Sequence, residues 1–441
     1  MKFFVETFGC QMNTSDSQEM ARSLMARGFV PSDNARDADC ILVNTCTVRQ
    51  HAEDKAVSFL GRLAEWKEAD PRRVLVVAGC AAERLGEKNL KRRFPHVDLV
   101  VGAKSIDRFD RLLDECMASP PRDGFDARGE DLGSWSRETR IERLLPEETV
   151  SAHVSVMRGC NYACSYCVVP SVRGREVYRP AGSVLSEVRQ KAALGLKEVI
   201  LLGQTVNSYR PSAAEDGVSD FAGLLRAVNQ VPGVRRIRFM SPHPFYLDEK
   251  TANAMAESEN VCRHMHLPVQ SGSDGVLERM RRNYTRSGFL EKMSLLRRAM
   301  PDIFVTTDFI VGFPGETEED FRATISLASE ADFDGAYVFK YSSRPGTVSA
   351  GWPDDVPEAA KEARHGELLS LMEGISTKKT EAFVNRRREV LVESKGEHSF
   401  EGRLREGRKV FFTSGTPHRP GDLVPVDITG ASGRTLKGRA V

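Results

Sequence analysis

The 441-residue chain lacks any long apolar run, has few aromatic residues (7%) and carries almost no net charge. No stretch approaches the ~20 consecutive apolar residues of a transmembrane helix, and residues 1–10 lack the basic, apolar and cleavage regions of a signal peptide. We therefore expect a cytoplasmic protein with no membrane association. A net charge of +1 also excludes a strong electrostatic field around the whole molecule.

The remaining composition is that of a soluble globular protein. Charged residues make up 28% of the chain and hydrophobic residues 40%, and both values lie within the ordinary range. Because 441 residues exceed the usual size of one hydrophobic core, the length predicts two or three domains.

Nine cysteines are present, and without an export signal they indicate metal ligands or free thiols rather than disulfides. Cys160, Cys164 and Cys167 form a CxxxCxxC run, with Tyr166 just before the last thiol. A short loop with this spacing can bind three irons of a 4Fe–4S cubane and leave the fourth iron open. A structural zinc knuckle is the alternative, although residues 168–178 offer no fourth cysteine or histidine to complete a tetrahedron.

A second set of cysteines follows predicted strands. Cys10, Cys46 and Cys80 each stand at the end of an apolar run, and the carboxyl ends of parallel strands share one edge of a sheet. Three thiolates at that edge could hold a second cluster with an open iron, but buried single cysteines also pack as small hydrophobic residues. The other three cysteines have no companion spacing and are interpreted as free structural thiols: Cys40, Cys116 and Cys262.

Alternating strand and helix patterns predict a multidomain α/β protein. Residues 1–116 are predicted to form a small parallel α/β domain, and residues 117–149 read as a linker that is polar and rich in proline and glycine. Residues 150–377 contain six strand–helix units, which predict an open, partial (βα)6 barrel with functional groups at the carboxyl ends of its strands. Residues 378–441 show short strands separated by glycines and predict a small all-β barrel.

The predicted strands have the following bounds. In the first domain they lie at 3–8, 40–45 and 74–78. In the partial barrel they lie at 153–157, 198–202, 235–240, 263–269, 303–311 and 335–341. In the C-terminal barrel they lie at 389–393, 400–404, 409–413 and 423–429, after a helix at 357–379.

Basic residues concentrate at the C-terminal end. From residue 378 to residue 441 there are 14 Lys and Arg against 8 Asp and Glu, a net charge of +6, while the rest of the chain carries −5. This excess favours binding to RNA phosphates, with a solvated charged surface as the alternative for any one residue. Phe411 and Phe412 stack on bases or belong to the core, and strand alternation requires at least one buried ring. The predicted phosphate contacts are Arg386, Arg387, Arg388, Arg403, Arg405, Arg408 and Lys409.

The CxxxCxxC run with its tyrosine matches the radical S-adenosylmethionine (SAM) signature. Segments along essentially the whole chain resemble the methylthiotransferase family of radical SAM enzymes: 7–13 (TFGCQMN), 44–49 (NTCTVR), 78–80 (AGC), 159–170, 173–176 (RGRE), 203–207 (GQTVN), 266–273 (HLPVQSGS) and 307–316 (TDFIVGFPGE).

Within this family, GCQMN at 9–13, GQTVN and SRPG at 343–346 resemble the branch that acts on isopentenyladenosine in tRNA. The other branches act on threonylcarbamoyladenosine or on a ribosomal-protein aspartate. Thr205 and Ser343 depart from residues that are frequent in the family, so the roles of these two side chains stay open.

This resemblance implies an enzyme with two 4Fe–4S clusters that uses two SAM molecules. The cluster on the CxxxCxxC cysteines binds and cleaves SAM, and the auxiliary cluster on Cys10, Cys46 and Cys80 carries a sulfur that a second SAM methylates. The implied reaction is methylthiolation of C-2 of N6-isopentenyladenosine at position 37 of tRNA, next to the anticodon. The C-terminal barrel resembles a TRAM domain, a small RNA-binding fold.

The resemblance also assigns SAM contacts by position. Gly203 and Gln204 follow the second barrel strand, where the superfamily receives the methionine amino group, and Tyr166 is expected beside the adenine. The predicted cofactor contacts are Tyr166, Gly203, Gln204, Ser241, His266, Gln270, Asp308, Ile310 and Val311. No side chain is expected to act as an acid or base, because the chemistry belongs to the clusters.

Several polar residues of the barrel have either a functional or a structural role. His264, His266 and Gln270 share one strand parity and could face the barrel interior, with a structural histidine as the alternative. Asp308 either binds substrate or braces a neighbouring group, and the role of Arg344 stays open.

The expected partners are the anticodon stem–loop of tRNA, a reductant such as flavodoxin or ferredoxin, and a sulfur source, and the expected state is a monomer. A non-catalytic iron–sulfur protein that regulates translation by binding RNA is a different possibility. The SAM-contact segments argue against it. Methylthiolation of a ribosomal protein would predict a C-terminal domain without the basic excess.

Overall fold

The computed structural model describes residues 1–48, 50–118, 150–214, 217–397 and 399–441. Within this range no helix is both long enough and apolar enough to cross a membrane. The predicted linker lies outside the described residues except for its first two residues, which end a helix.

The chain folds as two compact units, and the segment around the CxxxCxxC run is divided between them. Unit 1 comprises Met1–Pro146, Arg158–Asn161 and Val168–Arg179. Unit 2 comprises Glu147–Met157, Tyr162–Cys167 and Pro180–Val441.

Unit 1 is built on a five-stranded parallel sheet of order β2-β1-β3-β4-β5. Its strands are β1 (Lys2–Phe8), β2 (Val30–Pro31), β3 (Cys40–Thr45), β4 (Val74–Gly79) and β5 (Leu99–Gly102). Its N-terminal helices are α1 (Gln11–Ala26), α2 (Gln50–Arg62), α3 (Ala64–Ala69), α4 (Cys80–Leu85), α5 (Glu87–Arg93) and α6 (Phe109–Ala118).

The two central strands explain this architecture. Every residue of β3 and β4 is buried, as expected for parallel strands covered by helices on both faces. One face packs under α1 and α6 and the other under α2, α3 and α5. The predicted parallel α/β domain is confirmed, with β2 and β5 as additional strands.

Unit 2 contains the partial barrel. Its strands and the short elements beside them are β6 (Ser151–Ser155), β7 (Met157–Arg158), β8 (Val177–Tyr178), β9 (Glu198–Leu202), β10 (Arg236–Phe239), β11 (His264–His266), β12 (Phe304–Val311) and β13 (Gly335–Lys340), of which β8 lies in unit 1. The helices are α7 (Val169–Arg173, in unit 1), α8 (Ala181–Ala193), α9 (Phe221–Asn229), α10 (Glu249–Glu257), α11 (Asp274–Arg279), α12 (Arg286–Ala299), α13 (Glu318–Glu330) and α14 (Glu358–Glu381).

Six parallel strands follow one another across the barrel in chain order. β6, β9 and β10 form one sheet and β11, β12 and β13 another. A parallel bridge between Ile237 and Val261 links the two sheets. The predicted partial barrel is confirmed.

Two predicted barrel strands differ in extent from the structure. The strand expected at 263–269 ends at His266, because Pro268 has no N–H to donate to the ladder. The strand expected at 153–157 divides into β6 and the separate short strand β7.

The C-terminal segment is a closed five-stranded barrel of order β14-β15-β16-β18-β17. Its strands are β14 (Arg387–Lys395), β15 (Phe400–Arg403), β16 (Lys409–Thr413), β17 (Leu423–Ser432) and β18 (Thr435–Ala440). The sequence predicted four of these five strands. β18 was missed because its glycine and basic residues give only a weak strand pattern.

Arginines fix this barrel to the amino ends of the larger barrel's strands. Arg236, the first residue of β10, is fully buried and donates to the carbonyl oxygens of Arg403 (2.6 Å) and Glu389 (3.0 Å). Arg238 donates to the carbonyl oxygen of Leu404 at 2.8 Å. The opposite, carboxyl ends of the strands are thus left for the cofactor site.

Candidate cluster and cofactor sites

Unit 1 places Cys10, Cys46 and Cys80 directly after β1, β3 and β4, which are adjacent parallel strands. The backbone N–H of Cys46 donates to the carbonyl oxygen of Phe8 at 2.9 Å, so the loop continues the strand register. Cys10 is the N-cap of α1, and Cys80 is the first residue of α4. The three predicted ligands therefore meet at one edge of the sheet.

A buried amide pair sets the position of Cys10. The Asn13 Oδ1 atom accepts from the backbone N–H and from the thiol of Cys10, both at 3.3 Å. Asn13 Nδ2 donates to Asn44 Oδ1 at 3.1 Å, which ties α1 to β3. Gly79 has φ +100°, and a Cβ there would lie 2.3 Å from Asn44 Oδ1. The GCQMN, NTC and AGC segments thus form one interlocked structure.

The thiols of this site influence one another. A hydrogen bond from Cys46 is the main cause that lowers the pKa of Cys10, to about 6. The same bond and burial raise the pKa of Cys46. Burial raises the pKa of Cys80, against the opposing effect of the nearby Arg173 guanidinium. A cation and a helix N-terminus near these sulfurs are the surroundings that favour thiolates.

Four buried charges lie beside the three cysteines. Asp16 Oδ2 accepts from Arg173 at 2.8 Å, Asp16 Oδ1 lies 3.3 Å from Arg158, and Glu19 pairs with Arg158. Nothing in the sequence predicted this network, although Arg173 belongs to the RGRE segment at 173–176. Buried ion pairs rarely add net stability, so a role in placing charge next to the thiols explains them better.

The residues present suit a 4Fe–4S cluster. Arg173 is buried, and its Nη1 atom is a donor with no hydrogen-bond partner among the described residues. Three thiols and a donor of this kind match an anionic, sulfur-rich group. In the described part of the chain, no three His, Cys, Asp or Glu side chains converge closely enough for a single metal ion. Ligands of a cubane bind different irons and lie farther apart.

The CxxxCxxC run is held by local contacts in each unit. In unit 1, Cys160 N donates to Gly174 O at 3.1 Å. Gly159 has φ +79°, and a Cβ there would lie 2.0 Å from Arg175 O. In unit 2, Cys167 N donates to Cys164 O at 3.0 Å, which gives the loop a tight turn between these two thiols.

Arg282 is a buried cation beside this second set of thiols, and the sequence did not single it out. Its Nη1 atom lies 3.5 Å from Cys164 Sγ and 3.4 Å from the Tyr166 hydroxyl. Nε donates to the Tyr284 hydroxyl at 2.8 Å, and Nη2 donates to Pro268 O at 3.2 Å. The RRNYT segment at 281–285, which follows HLPVQSGS, is the sequence feature that could have identified Arg282. A buried cation at this position suits a loop that would hold an anionic cluster. Arg173 is the corresponding cation in unit 1.

A second unpredicted residue, His243, stacks on the same loop. Its ring lies 4.0 Å from that of Tyr162, centroid to centroid, at an interplanar angle of 14°. His243 Nδ1 accepts from Phe245 N, so Nε2 carries the proton, and this buried donor has no partner among the described residues. Burial lowers the pKa of His243 to about 2.

Two predicted SAM contacts have strained backbone. Ser241 and Gln270 have φ of +59° and +74°, two of only five such non-glycine residues in the part of the chain that the structure describes. Strain of this kind concentrates at functional sites. Gly203 follows β9 and is required there, because a Cβ would lie 2.6 Å from Met157 Cγ. Gln204 comes next and is half-buried.

The predicted polar residues of the barrel interior lie on one face. His266 Nδ1 is 3.0 Å from Thr306 Oγ1, and His266 Nε2 is 3.2 Å from Asp308 Oδ2. His264 Nε2 is 3.3 Å from the same threonine hydroxyl, and burial lowers the pKa of His264 to about 3. His264 therefore has the surroundings of a structural histidine, whereas His266 and Asp308 form a pair that is partly open to solvent.

Ile310 and Val311 point to opposite faces of β12. Ile310 packs beside Phe313 together with Tyr166, the aromatic residue of the CxxxCxxC run. Val311 is fully buried on the other face. The side chain of Val311 thus points away from that of Ile310, because adjacent strand residues alternate in direction. The expected cofactor contact at Val311 rests on its backbone and stays a prediction.

The predicted RNA contact of Arg408 is wrong, whereas that of Arg405 stays a prediction. Arg408 is buried, and its Nη2 atom donates to Asp334 O (2.9 Å) and to Ser376 Oγ (2.9 Å). Arg405 Nη2 donates to the carbonyl oxygens of Glu259 and Val261. Both arginines attach the C-terminal barrel to the larger one. The guanidinium of Arg408 is buried and not available to phosphates, while that of Arg405 is half-buried with only Nη2 engaged in these bonds.

The other predicted RNA contacts are accessible. Arg386, Arg387 and Lys409 are exposed, and Arg388 and Arg403 are half-buried. Arg387, Arg403 and Lys409 pair with surface carboxylates, and such pairs are weak.

The outer face of β16 and β18 adds residues that the sequence did not single out. Phe411 is 40% exposed while Phe412 is 1% exposed, which confirms that one of the two rings is buried. In the strand register Phe411 pairs with Lys437, and Thr413 pairs with Arg439. Lys437 and Arg439 are both exposed. An aromatic ring among lysines and arginines is typical of an RNA-binding surface.

The three cysteines outside the two triads lie in or at the margin of the apolar cores. Cys40 lies in the apolar core of unit 1 with Cys116 at its margin, and Cys262 is buried in unit 2. None of the three forms a disulfide in the part of the chain that the structure describes.

Family models match the N-terminal α/β domain and the partial barrel. The model described as "Uncharacterized protein family UPF0004" matches residues 2–102. The model described as "Radical SAM superfamily" matches residues 154–328. Together with the two cysteine triads, these matches define the class as a radical SAM enzyme with an additional N-terminal α/β domain.

Relatives with assigned names match the whole chain. A tRNA-2-methylthio-N(6)-dimethylallyladenosine synthase of Pelotomaculum thermopropionicum is 42% identical over 98% of this chain and 95% of its own length. Proteins of the same name from Syntrophobacter fumaroxidans (43%, covering 99% and 94%) and Geobacter sulfurreducens (41%, covering 99% and 97%) are equally similar. The chain belongs to this family of tRNA methylthiotransferases.

Solved structures support the fold. The radical SAM methyltransferase TsrM of Kitasatospora setae, solved with cobalamin and a [4Fe-4S] cluster, has a TM-score of 0.56 at 14% identity and covers 79% of this chain and 76% of its own. At this identity the likeness concerns the fold alone.

Proposed function

We propose that the protein methylthiolates C-2 of N6-isopentenyladenosine next to the anticodon of tRNA. The observation that carries this proposal is the full-length similarity to synthases named for this product, at 41–43% identity. The two cysteine triads and the basic C-terminal barrel are the parts that such an enzyme needs. The cofactors are SAM and 4Fe–4S clusters.

We further propose which residues hold the cofactors. Cys160, Cys164 and Cys167 hold the cluster that binds SAM, while Cys10, Cys46 and Cys80 hold the auxiliary one. When bound, these groups supply one-electron chemistry that can break an unactivated aromatic C–H bond, together with the sulfur to be transferred. Three thiolates at each site leave one iron without a protein ligand.

The chain's own side chains orient the cofactor and balance charge. Arg282 donates toward Cys164 and Tyr166 in unit 2, and Arg173 supplies a buried cation in unit 1. Gly203, Gln204, Ser241 and Gln270 line the carboxyl ends of the barrel strands, where SAM would lie. No acid or base is required, since the target carbon loses hydrogen rather than a proton.

The RNA-binding surface that we propose lies on the outer face of the C-terminal barrel. It consists of the exposed cations Arg386, Arg387, Lys409, Lys437 and Arg439 around Phe411. Unpaired bases of an anticodon loop can be splayed into a pocket at modest cost. A reductant such as flavodoxin or ferredoxin and a sulfur source complete the proposed reaction, which a monomer carries out in the cytoplasm.

The test is an assay of the anaerobically reconstituted protein on three substrates. These are an anticodon stem–loop with isopentenyladenosine, the same RNA with threonylcarbamoyladenosine, and a ribosomal peptide that contains an aspartate. The proposal predicts a gain of one methylthio group on the isopentenylated RNA alone, detected by mass spectrometry. Product on the peptide, with none on either RNA, would overturn it.

A further inference from the structure

The last strand of the partial barrel carries two exposed aromatic rings. Tyr337 is 56% and Phe339 is 50% exposed. Only four large aromatic residues are exposed in the described part of the chain, and two of them lie on this strand. Monomeric proteins seldom leave adjacent apolar rings in water without a function.

Both rings face the concave interior of the barrel. In the register, Tyr337 pairs with Asp308, and Phe339 pairs with Ile310. The Tyr337 ring also meets that of His266 edge to face, at 5.9 Å between centroids. The intervening Val338 points the other way and is buried. The rings therefore lie on the same face as the predicted SAM contacts.

This aromatic surface is continuous with the cofactor site. Phe339 is the strand neighbour of Ile310, which packs in one cluster with Tyr166, and paired strands lie only ~4.8 Å apart. β13 is the edge of its sheet, so no further strand covers the two rings from the side. A group held on them would lie next to the site where SAM is expected.

We infer that Tyr337 and Phe339 form the contact surface for the apolar N6 substituent of the target adenosine. This inference rests on the proposed function. A branched hydrocarbon gains from contact with two rings that already lie in place. A threonylcarbamoyl group carries a carboxylate, which would be desolvated against the rings and repelled by the carboxylate of Asp308. The surface thus selects the uncharged substituent.

The test compares the affinities of three anticodon stem–loops, which carry isopentenyladenosine, adenosine or threonylcarbamoyladenosine. Fluorescence anisotropy of the reconstituted protein under anaerobic conditions gives each dissociation constant. We expect the unaltered protein to bind the isopentenylated RNA most tightly. Tyr337→Ala and Phe339→Ala should each weaken that binding about fivefold and change the affinity for unmodified RNA by less than about twofold.

Two further variants keep the result interpretable. Phe339→Leu preserves apolar volume and should retain most of the preference, which separates a local contact from a folding defect. Phe411→Ala removes an exposed ring from the C-terminal barrel and should weaken binding of all three RNAs by the same factor.

Different results would overturn the proposed function and the assignment of the two rings. If the unaltered protein does not prefer the isopentenylated RNA, the proposed function fails. If it does prefer that RNA and both alanine variants keep the full preference, the function stands and the assignment of Tyr337 and Phe339 is overturned.

Discussion

At the scale of single residues, each predicted cluster site has a buried arginine beside its thiols. Burial raises the pKa of Cys80 and the Arg173 guanidinium opposes that rise, while Arg282 lies 3.5 Å from Cys164 Sγ. A 4Fe–4S cluster with three thiolate ligands is anionic, and hydrogen bonds to its sulfurs help to set its potential. Each unit thus offers a buried cation to an anionic cluster that its thiols would bind.

His243 gives a pH-dependent prediction. Burial lowers its pKa to about 2, whereas an unfolded histidine titrates near ~6.5. The unfolded chain therefore gains a proton as pH falls below ~6.5 while the folded protein does not, so stability is full above that pH and is lost below it. Urea titrations should show the free energy of unfolding falling by about 1 kcal/mol per pH unit between pH 6 and pH 5.

His243→Phe is the matched comparison, because it keeps a ring stacked on Tyr162 but cannot titrate. This variant should lose the corresponding part of the pH dependence. Identical slopes in the variant and the unaltered protein would show that His243 is not held neutral by the fold.

The sequence could identify residues whose chemistry depends on type and spacing. The six cysteines proposed as cluster ligands were named from the CxxxCxxC spacing and from the places of Cys10, Cys46 and Cys80 after apolar strands. Arg282, His243 and the Asp16–Arg173 pair were not named, because their partners are distant in sequence and arginine is common on every surface.

At the scale of elements, periodicity predicted best the strands whose apolar residues are continuous or alternate along the chain. β3, β9 and β16 have the predicted bounds, because continuous or cleanly alternating apolar runs leave little choice. β18 pairs with β16 and β17 but carries a glycine and three basic or polar residues. Its position is fixed by closure of the barrel, which local sequence does not encode.

Two adjacent cations of the C-terminal barrel, Arg408 and Lys409, are expected to have different roles. Arg408→Met removes buried hydrogen bonds to Asp334 O and Ser376 Oγ and should lower the free energy of unfolding by about 2 kcal/mol. Lys409→Met changes an exposed side chain and should leave stability within ~0.5 kcal/mol. It should instead weaken RNA binding and reduce the slope of log affinity against log salt by about 1. Full stability of Arg408→Met together with a reduced salt slope would contradict this division.

At the scale of the whole molecule, the two cysteine triads are expected to perform separate tasks. Cys10→Ala should retain reductive cleavage of SAM but lose methylthiolation, because the auxiliary cluster holds the sulfur. Cys164→Ala should lose both. Cys116→Ser, which alters a thiol outside both triads, should keep both activities. Chromatography of the nucleoside and amino-acid products of SAM measures cleavage independently of RNA modification.

Domain bounds predicted along the sequence could not show that the CxxxCxxC segment is divided between the two compact units. Cys160 belongs to unit 1, while Cys164 and Cys167 belong to unit 2. Sequence patterns report local structure, but they do not report which compact unit a loop joins. The domain bounds 1–116, 150–377 and 378–441 accordingly remain a prediction.

Iron analysis of anaerobically reconstituted protein determines whether the chain holds two clusters on separate triads. We expect about eight irons per chain for the unaltered protein and about four for the variant in which Cys10, Cys46 and Cys80 are all alanine. About four irons in the unaltered protein, or no loss of iron in the triple variant, would contradict this expectation.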